Sequence, residues 1–191
     1  MASITSLPSG VSGSSLVLIS EQTASSSATI DFTSGIDSTY KEYIIKCINV
    51  HPATNEQNFT FQADTGTNTN YNQTITSTFF RAYNQENDGG TALGYLTSRD
   101  QAQGTSFQPL TVTIGNGNDE CTNGTIHLFD PSNTTFVKHF VSRFIDYEGS
   151  NQAVDNYCGG YFNTTTAITR VQFKFASGNI DAGTFKLYGV S

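Results

Sequence analysis

The sequence has no tryptophan and few charged residues, and it lacks the basic surface that several classes of partner require. Of its 191 residues, 13% are charged, about half the fraction found in an ordinary soluble domain. The net charge is −7, and no run of Lys or Arg occurs. Nucleic acids and anionic membranes attract basic patches that displace counterions, so the sequence disfavours both partners.

Long apolar runs are also absent. No stretch approaches the roughly 20 residues that a membrane-spanning helix needs, so we expect no membrane insertion. Residues 1–5 lack the basic and apolar segments of a signal peptide, which predicts a protein made and kept in a cytoplasm, or assembled there. The three cysteines, Cys47, Cys121 and Cys158, leave at least one thiol unpaired. A Cys121–Cys158 disulfide stays open, although free thiols suit a reducing compartment.

No arrangement of residues predicts catalysis. The sequence contains no nucleophile elbow, phosphate-binding loop or dinucleotide fingerprint. Paired carboxylates would suggest a glycosidase, but the candidates lie in or beside polar loops, where acidic residues are usually just solvated. These candidates are Asp119, Glu120, Asp146, Glu148 and Asp155. We therefore expect a protein that is not an enzyme and needs no cofactor.

One loop offers oxygen ligands to a metal ion. Asn116, Asn118 and Asp119 lie together on a glycine-rich turn, and Ca²⁺ prefers amide and carboxylate oxygens of this kind. A structural Ca²⁺ site is one interpretation of this segment. The simpler interpretation, which we prefer, is a hairpin loop rich in Gly and Asn.

The sequence is rich in Phe and Tyr, with 14 and 9 residues, and these alternate with polar residues in many short segments. Tyr43, Ile45 and Cys47 share one face of a predicted strand, as do the apolar residues of 59–63 and 171–175. About ten such strands are separated by turn signals every 8 to 15 residues or so. The pattern predicts an all-β fold, a single antiparallel β-sandwich of jelly-roll type.

Three segments depart from simple alternation. Residues 136–145 are apolar on both faces, which fits either a helix or a strand, and their aromatic and β-branched content favours a strand buried inside the sandwich. Residues 84–108 form a long polar interval, predicted to be a loop that makes contacts. Residues 1–14 are polar and rich in turn residues, which predicts an N-terminal arm that could add a strand to a neighbouring protein. The β-sandwich domain itself is predicted to span residues 15–191.

Four tyrosines are candidates for contact with a partner or a glycan. Tyr83, Tyr95, Tyr147 and Tyr157 lie in or near the long polar segments. Sugar rings stack on aromatic side chains, so exposed tyrosines suit carbohydrate binding. The alternative is that these rings pack the loops onto the sandwich.

Three segments resemble a family of small virion proteins of tailed bacteriophages, common among marine phages. They are the strand entry Ile30–Ile45, the hairpin Phe61–Tyr71 and the ending Ile168–Val190, where a Ser-Gly-Asn-Ile turn leads into Gly-Thr-Phe-Lys-Leu-Tyr-Gly. The resemblance covers about residues 30–191, and its C-terminal part is the more specific. It implies a jelly-roll-like component of the capsid or tail, with no catalytic residues to transfer.

The sequence and this resemblance together predict a structural protein of the virion. We expect it to decorate the capsid exterior or to form part of the tail, to contact other virion proteins, and to associate with copies of itself. The alternative function is a glycan-binding module in a tail appendage that recognises the host surface.

Overall fold

Strands of alternating polar and apolar residues form two antiparallel sheets, as the sequence predicts. The computed structural model describes residues 15–191, and the predicted N-terminal arm, residues 1–14, lies outside the described residues. Thirteen strands are present in the described part of the chain. None of residues 15–191 forms a helix that is long and apolar enough to cross a membrane.

The strands are labelled in chain order. They are β1 (Leu16–Ser27), β2 (Ile30–Phe32), β3 (Glu42–Pro52), β4 (Gln57–Thr65), β5 (Ile75–Gln85), β6 (Thr91–Tyr95), β7 (Ala102–Gly104), β8 (Gln108–Ile114), β9 (Thr122–Phe129), β10 (Lys138–Glu148), β11 (Gln152–Phe162), β12 (Ile168–Phe175) and β13 (Ile180–Val190).

Eight of these strands form a jelly roll. The small sheet has the order β2-β12-β4-β8, and the large sheet begins β1-β13-β3-β9. Among these eight strands, the first along the chain therefore pairs with the last, β1 with β13, and the second with the next to last, β2 with β12. The remaining pairs follow the same rule, β3 with β9 and β4 with β8. An antiparallel ribbon paired in this way and rolled up gives the two four-stranded layers of a jelly roll.

Two insertions widen the large sheet. The hairpin β10–β11 continues it beyond β9, and β5, inserted between β4 and β8, pairs with β11. The strands β6 and β7 then pair with different parts of β5. The result is a nine-stranded sheet against a four-stranded one, so the large sheet presents a broad outer face.

Phenylalanine rings fill the space between the two sheets. Phe59 in β4 lies at the centre, with ring centroids 5.7 Å from Phe173, 5.8 Å from Phe144 and 6.0 Å from Phe185. Gly124 in β9 makes room for one of these rings, because a Cβ atom there would overlap the Phe144 ring. Close packing at this level leaves no space for an added methyl group.

The predicted inward faces are confirmed for most strands. Tyr43, Ile45 and Cys47 are buried, and so are the apolar residues of 59–63 and 171–175. The three cysteines are free thiols, with Cys47 and Cys158 buried. Residues 15–191 form thirteen strands rather than about ten.

The prediction for residues 136–145 is wrong in one respect. The segment forms the strand β10, but only one of its faces is buried, because the small sheet covers the inner side alone. Val141 and Ile145 point outward and are 46% and 52% exposed, and Phe136 precedes the strand and is also exposed.

The polar interval 84–108 is not a single loop, since it contains β6 and β7. Buried amides tie it to the sandwich. Ser77 Oγ donates to Gln108 Oε1 at 2.6 Å, and Gln108 Nε2 donates to the Arg99 carbonyl oxygen at 2.9 Å. The backbone N–H of Gln101 donates to Ser77 Oγ at 3.0 Å. These bonds satisfy polar groups that the fold removes from water.

Candidate interaction surface on the large sheet

A row of aromatic and basic side chains crosses the outer face of the large sheet. The strand register places Arg143 of β10 opposite Tyr157 of β11, Tyr157 opposite Phe80 of β5, and Phe80 opposite Tyr95 of β6. Directly opposed residues in antiparallel strands point to the same face. The four side chains therefore form one continuous line across four strands.

The centre of this row is a stack. The rings of Phe80 and Tyr157 are parallel within 4°, with centroids 4.8 Å apart. The guanidinium carbon of Arg143 lies 5.2 Å from the centroid of Tyr157, an ordinary cation–π distance. Both faces of the Tyr157 ring are therefore covered, and its edge is what the surface offers to a partner.

Asp155 holds this stack in place. The Arg143 guanidinium donates to both carboxylate oxygens, from Nε at 3.0 Å and from a terminal nitrogen at 2.7 Å. The Tyr157 hydroxyl donates to the same carboxylate at 2.9 Å. The bonds from Arg143 hold the pKa of Asp155 below its usual value, and the bond to Asp155 raises the pKa of Tyr157.

A second row runs beside the aromatic one and is apolar except for Asp155. Ile145 is opposite Asp155, Asp155 is opposite Ala82, and Ala82 is opposite Leu93. Leu93 is 73% exposed, the highest value among the exposed large hydrophobic residues described. Shallow depressions lie on both sides of Ile145. We define the outer patch as the residues Phe80, Leu93, Tyr95, Arg143, Ile145 and Tyr157.

The four tyrosines singled out in the sequence lie in different places. Tyr95 and Tyr157 belong to the outer patch, and Tyr147 lies on the same face of β10, with its hydroxyl donating to Asn151 at 3.2 Å. Tyr83 faces inward, where it packs against the core beneath the Arg81 guanidinium. The structure thus brings Tyr95 and Tyr157 together and separates Tyr83 from them.

Phe80, Leu93 and Ile145 were not among the candidates from the sequence. For Ile145 the available signal is the apolar second face of residues 136–145, which predicts burial, whereas Phe80 and Leu93 lie outside that segment. An apolar residue that the partner sheet does not reach has the same sequence pattern as one that it covers. Whether a second layer covers the outer face of β10 depends on how the sheets pack, which local periodicity does not show.

The candidate carboxylates do not form one group. Asp146 and Glu148 lie on the buried face of β10, whereas Asp155 lies on the outer face and is bound by Arg143. Burial raises the pKa of Asp146 to about 8. Asp119 and Glu120 lie in the loop between β8 and β9.

The same loop carries the residues of the predicted Ca²⁺ site. The Asn116 amide donates to the Ala53 carbonyl oxygen at 3.4 Å, and the backbone N–H of Asn116 donates to Asn55 Oδ1 at 3.2 Å. Within residues 15–191, no group of three or more His, Cys, Asp or Glu is placed to hold a metal ion. The Ca²⁺ site at Asn116, Asn118 and Asp119 stays a prediction, and a change in melting temperature between Ca²⁺ and a chelator tests it.

Comparison with known proteins does not assign a family or a function to the chain. No protein-family model matches the chain, and a search of the curated proteins returns no match.

Proposed function

We propose that the chain is a non-enzymatic structural protein of a bacteriophage particle, attached to the capsid exterior or to the tail. The observation that carries this proposal is the outer patch. Its residue types, Tyr, Phe, Leu, Ile and Arg, include the aromatic residues and arginine that are enriched in protein–protein interfaces. An exposed patch of this kind on a soluble domain marks an interaction surface.

The architecture is compatible with this role. Jelly rolls form many viral capsid domains and also many lectins, so the fold favours both candidate functions over others without choosing between them. The resemblance of Ile168–Val190 to phage virion proteins favours the first. The inserted strands β10, β11 and β5 also support a contact role, because they create most of the broad face on which the outer patch lies.

The positions of the carboxylates support a role without catalysis. A glycosidase needs two carboxyl groups facing one substrate from opposite sides of the scissile bond. In this chain Asp146 and Asp155 lie on opposite faces of the same sheet, and Asp146 is enclosed between the layers. Asp155 is occupied by Arg143 and Tyr157.

The copy number in the particle tests the proposal. Quantitative peptide mass spectrometry of particles purified from the phage that encodes the chain would compare it with the major capsid protein. We expect the chain to be present, with hundreds of copies for a capsid component or a few to a few tens for a tail component. Its absence from purified particles would contradict the proposal.

Glycan binding is the second candidate, and Tyr95 is the observation that favours it. Its ring is half exposed near the edge of the large sheet, and its hydroxyl donates to Asp100. An open aromatic face beside a carboxylate can stack on a sugar and accept bonds from its hydroxyls. On a glycan array, binding that Tyr95→Ala abolishes and Tyr83→Ala preserves would favour this function. Binding unaffected by both substitutions would remove Tyr95 as the contact.

A further inference from the structure

The two sheets have four edges, and three of them carry features that hinder pairing with another chain. In the small sheet, β2 has three residues and β8 contains Pro109. The far edge of the large sheet is divided between β6, with five residues, and β7, with three. Short edge strands and proline are devices by which proteins avoid pairing along sheet edges.

The fourth edge, β1, has neither feature. It is 12 residues long, about 40 Å, and contains no Pro, Lys or Arg. Its one charged residue, Glu21, is 3.1 Å from Lys186 Nζ of the adjacent strand. One side of β1 pairs with β13, with one irregularity between Leu18 and Ser20 and a regular register over residues 20–25, and no strand within residues 15–191 pairs with the other side.

The start of β1 is also apolar and accessible. Leu16, Val17 and Leu18 are 45%, 38% and 50% exposed. A long, exposed strand edge with apolar side chains is a template for another strand, because its free N–H and C=O groups need partners. The occupant that this edge fits is therefore an extended strand without strong charge.

We infer that β1 pairs with β1 of a second copy of this chain, antiparallel and about a two-fold axis. Two identical edge strands related by such an axis run antiparallel, and each contact is made twice. The identical strand also meets the requirement for low charge, since β1 carries Glu21 alone. The two large sheets would then join into one continuous sheet across both copies.

The side chains of β1 indicate the register. Glu21 and Thr23 are exposed on the outer face, and Gln22 lies between them on the inner face, where its amide donates to the Asp31 carbonyl oxygen at 2.7 Å. A two-fold axis at Gln22 places Glu21 opposite Thr23 of the second copy, so a hydroxyl can donate to each carboxylate. An axis at Glu21 would instead place the Glu21 carboxylates of the two copies opposite each other, and like charges directly opposite are unfavourable.

This pairing goes beyond the proposed function and does not depend on it, because it concerns the purified chain alone. Sedimentation equilibrium of the full chain tests it. We expect a mass twice the 20.6 kDa of one chain. The double substitution Leu18→Lys and Ser25→Lys places charge on exposed positions of the edge, and we expect it to raise the dissociation constant at least about tenfold.

The double substitution Thr91→Lys and Ala92→Lys is the matched control, because it adds the same two charges to exposed positions of β6 at the opposite edge, outside the outer patch. We expect it to leave the dimer intact. Hydrogen exchange gives a second readout: amide protection in residues 16–27 should increase with protein concentration. A chain that is monomeric up to about 100 µM overturns the inference. A dimer that Thr91→Lys with Ala92→Lys dissociates, and Leu18→Lys with Ser25→Lys does not, also overturns it. Amide protection of residues 16–27 that does not change with protein concentration overturns it as well.

Discussion

The buried carboxyl of Asp146 is expected to lower the free energy of unfolding as the pH rises, and the substitution Asp146→Asn is expected to remove this loss. Asp146 is 3% exposed on the inner face of β10. Its Oδ2 accepts a bond from Asn156 Nδ2 at 2.6 Å, and its Oδ1 has no partner among residues 15–191. Burial raises its pKa to about 8, and the nearby Glu148 and Asp155 add to the shift.

The size of the effect follows from linkage. In the unfolded chain the carboxyl has a pKa near 3.9. Below about pH 4 it is protonated in both the folded and the unfolded state, so it does not lower the free energy of unfolding. Between about pH 4 and pH 8 the folded state holds one more proton than the unfolded state. The free energy of unfolding therefore falls by about 1.4 kcal/mol per pH unit, or about 4 kcal/mol by pH 7. An asparagine amide does not titrate in this range, so Asp146→Asn avoids this loss.

Urea unfolding at pH 4, 5, 6 and 7, followed by circular dichroism, measures the difference. We expect Asp146→Asn and the unmodified chain to differ least at pH 4 and increasingly above it, in favour of the variant. Subtracting the two curves removes the contributions of other titrating groups. Asp119→Asn, which removes a carboxylate from an exposed loop, is the control for the substitution itself. A difference between Asp146→Asn and the unmodified chain that does not change with pH would refute this explanation of the buried carboxyl.

Three further predictions concern the core and the thiols. Phe59→Ala should lower the free energy of unfolding by about 3–5 kcal/mol in urea titrations, whereas the exposed Phe80→Ala should cost about 1 kcal/mol; equal losses would contradict the placement of the two rings. Gly124→Ala should cost about 1–3 kcal/mol, because its Cβ would meet the Phe144 ring, and an unchanged melting temperature would count against that contact. In the native protein, a thiol reagent should modify the partly exposed Cys121 well before the two buried cysteines; equal rates would show that the other two are accessible.

Local periodicity was sufficient for the strands that have one polar and one apolar face. The alternation of Tyr43, Ile45 and Cys47 predicts the buried face of β3 because a strand turns successive side chains to opposite sides. Composition and turn spacing also predict a jelly-roll type of sandwich. The widening of the large sheet could not be predicted, because it depends on the pairing of β5 with β11, which are distant in the sequence.

The outer patch could be predicted only in part. Tyr95 and Tyr157 stand out in the sequence as aromatic residues near polar segments, but their alignment with Phe80 is a consequence of strand register. Ile145 was predicted to be buried, since an apolar residue facing solvent violates the usual pattern. That violation is informative once the structure is known, because apolar residues grouped on an exposed face mark a binding surface.

The central proposal is that this sandwich is a particle component that contacts its neighbours through the outer face of the large sheet. A cryo-electron microscopy reconstruction of the phage particle tests it most directly. We predict density for residues 15–191 with another virion protein against Phe80, Leu93 and Ile145. A particle that lacks this domain, or one that contains it with the outer patch facing solvent, would contradict the claim.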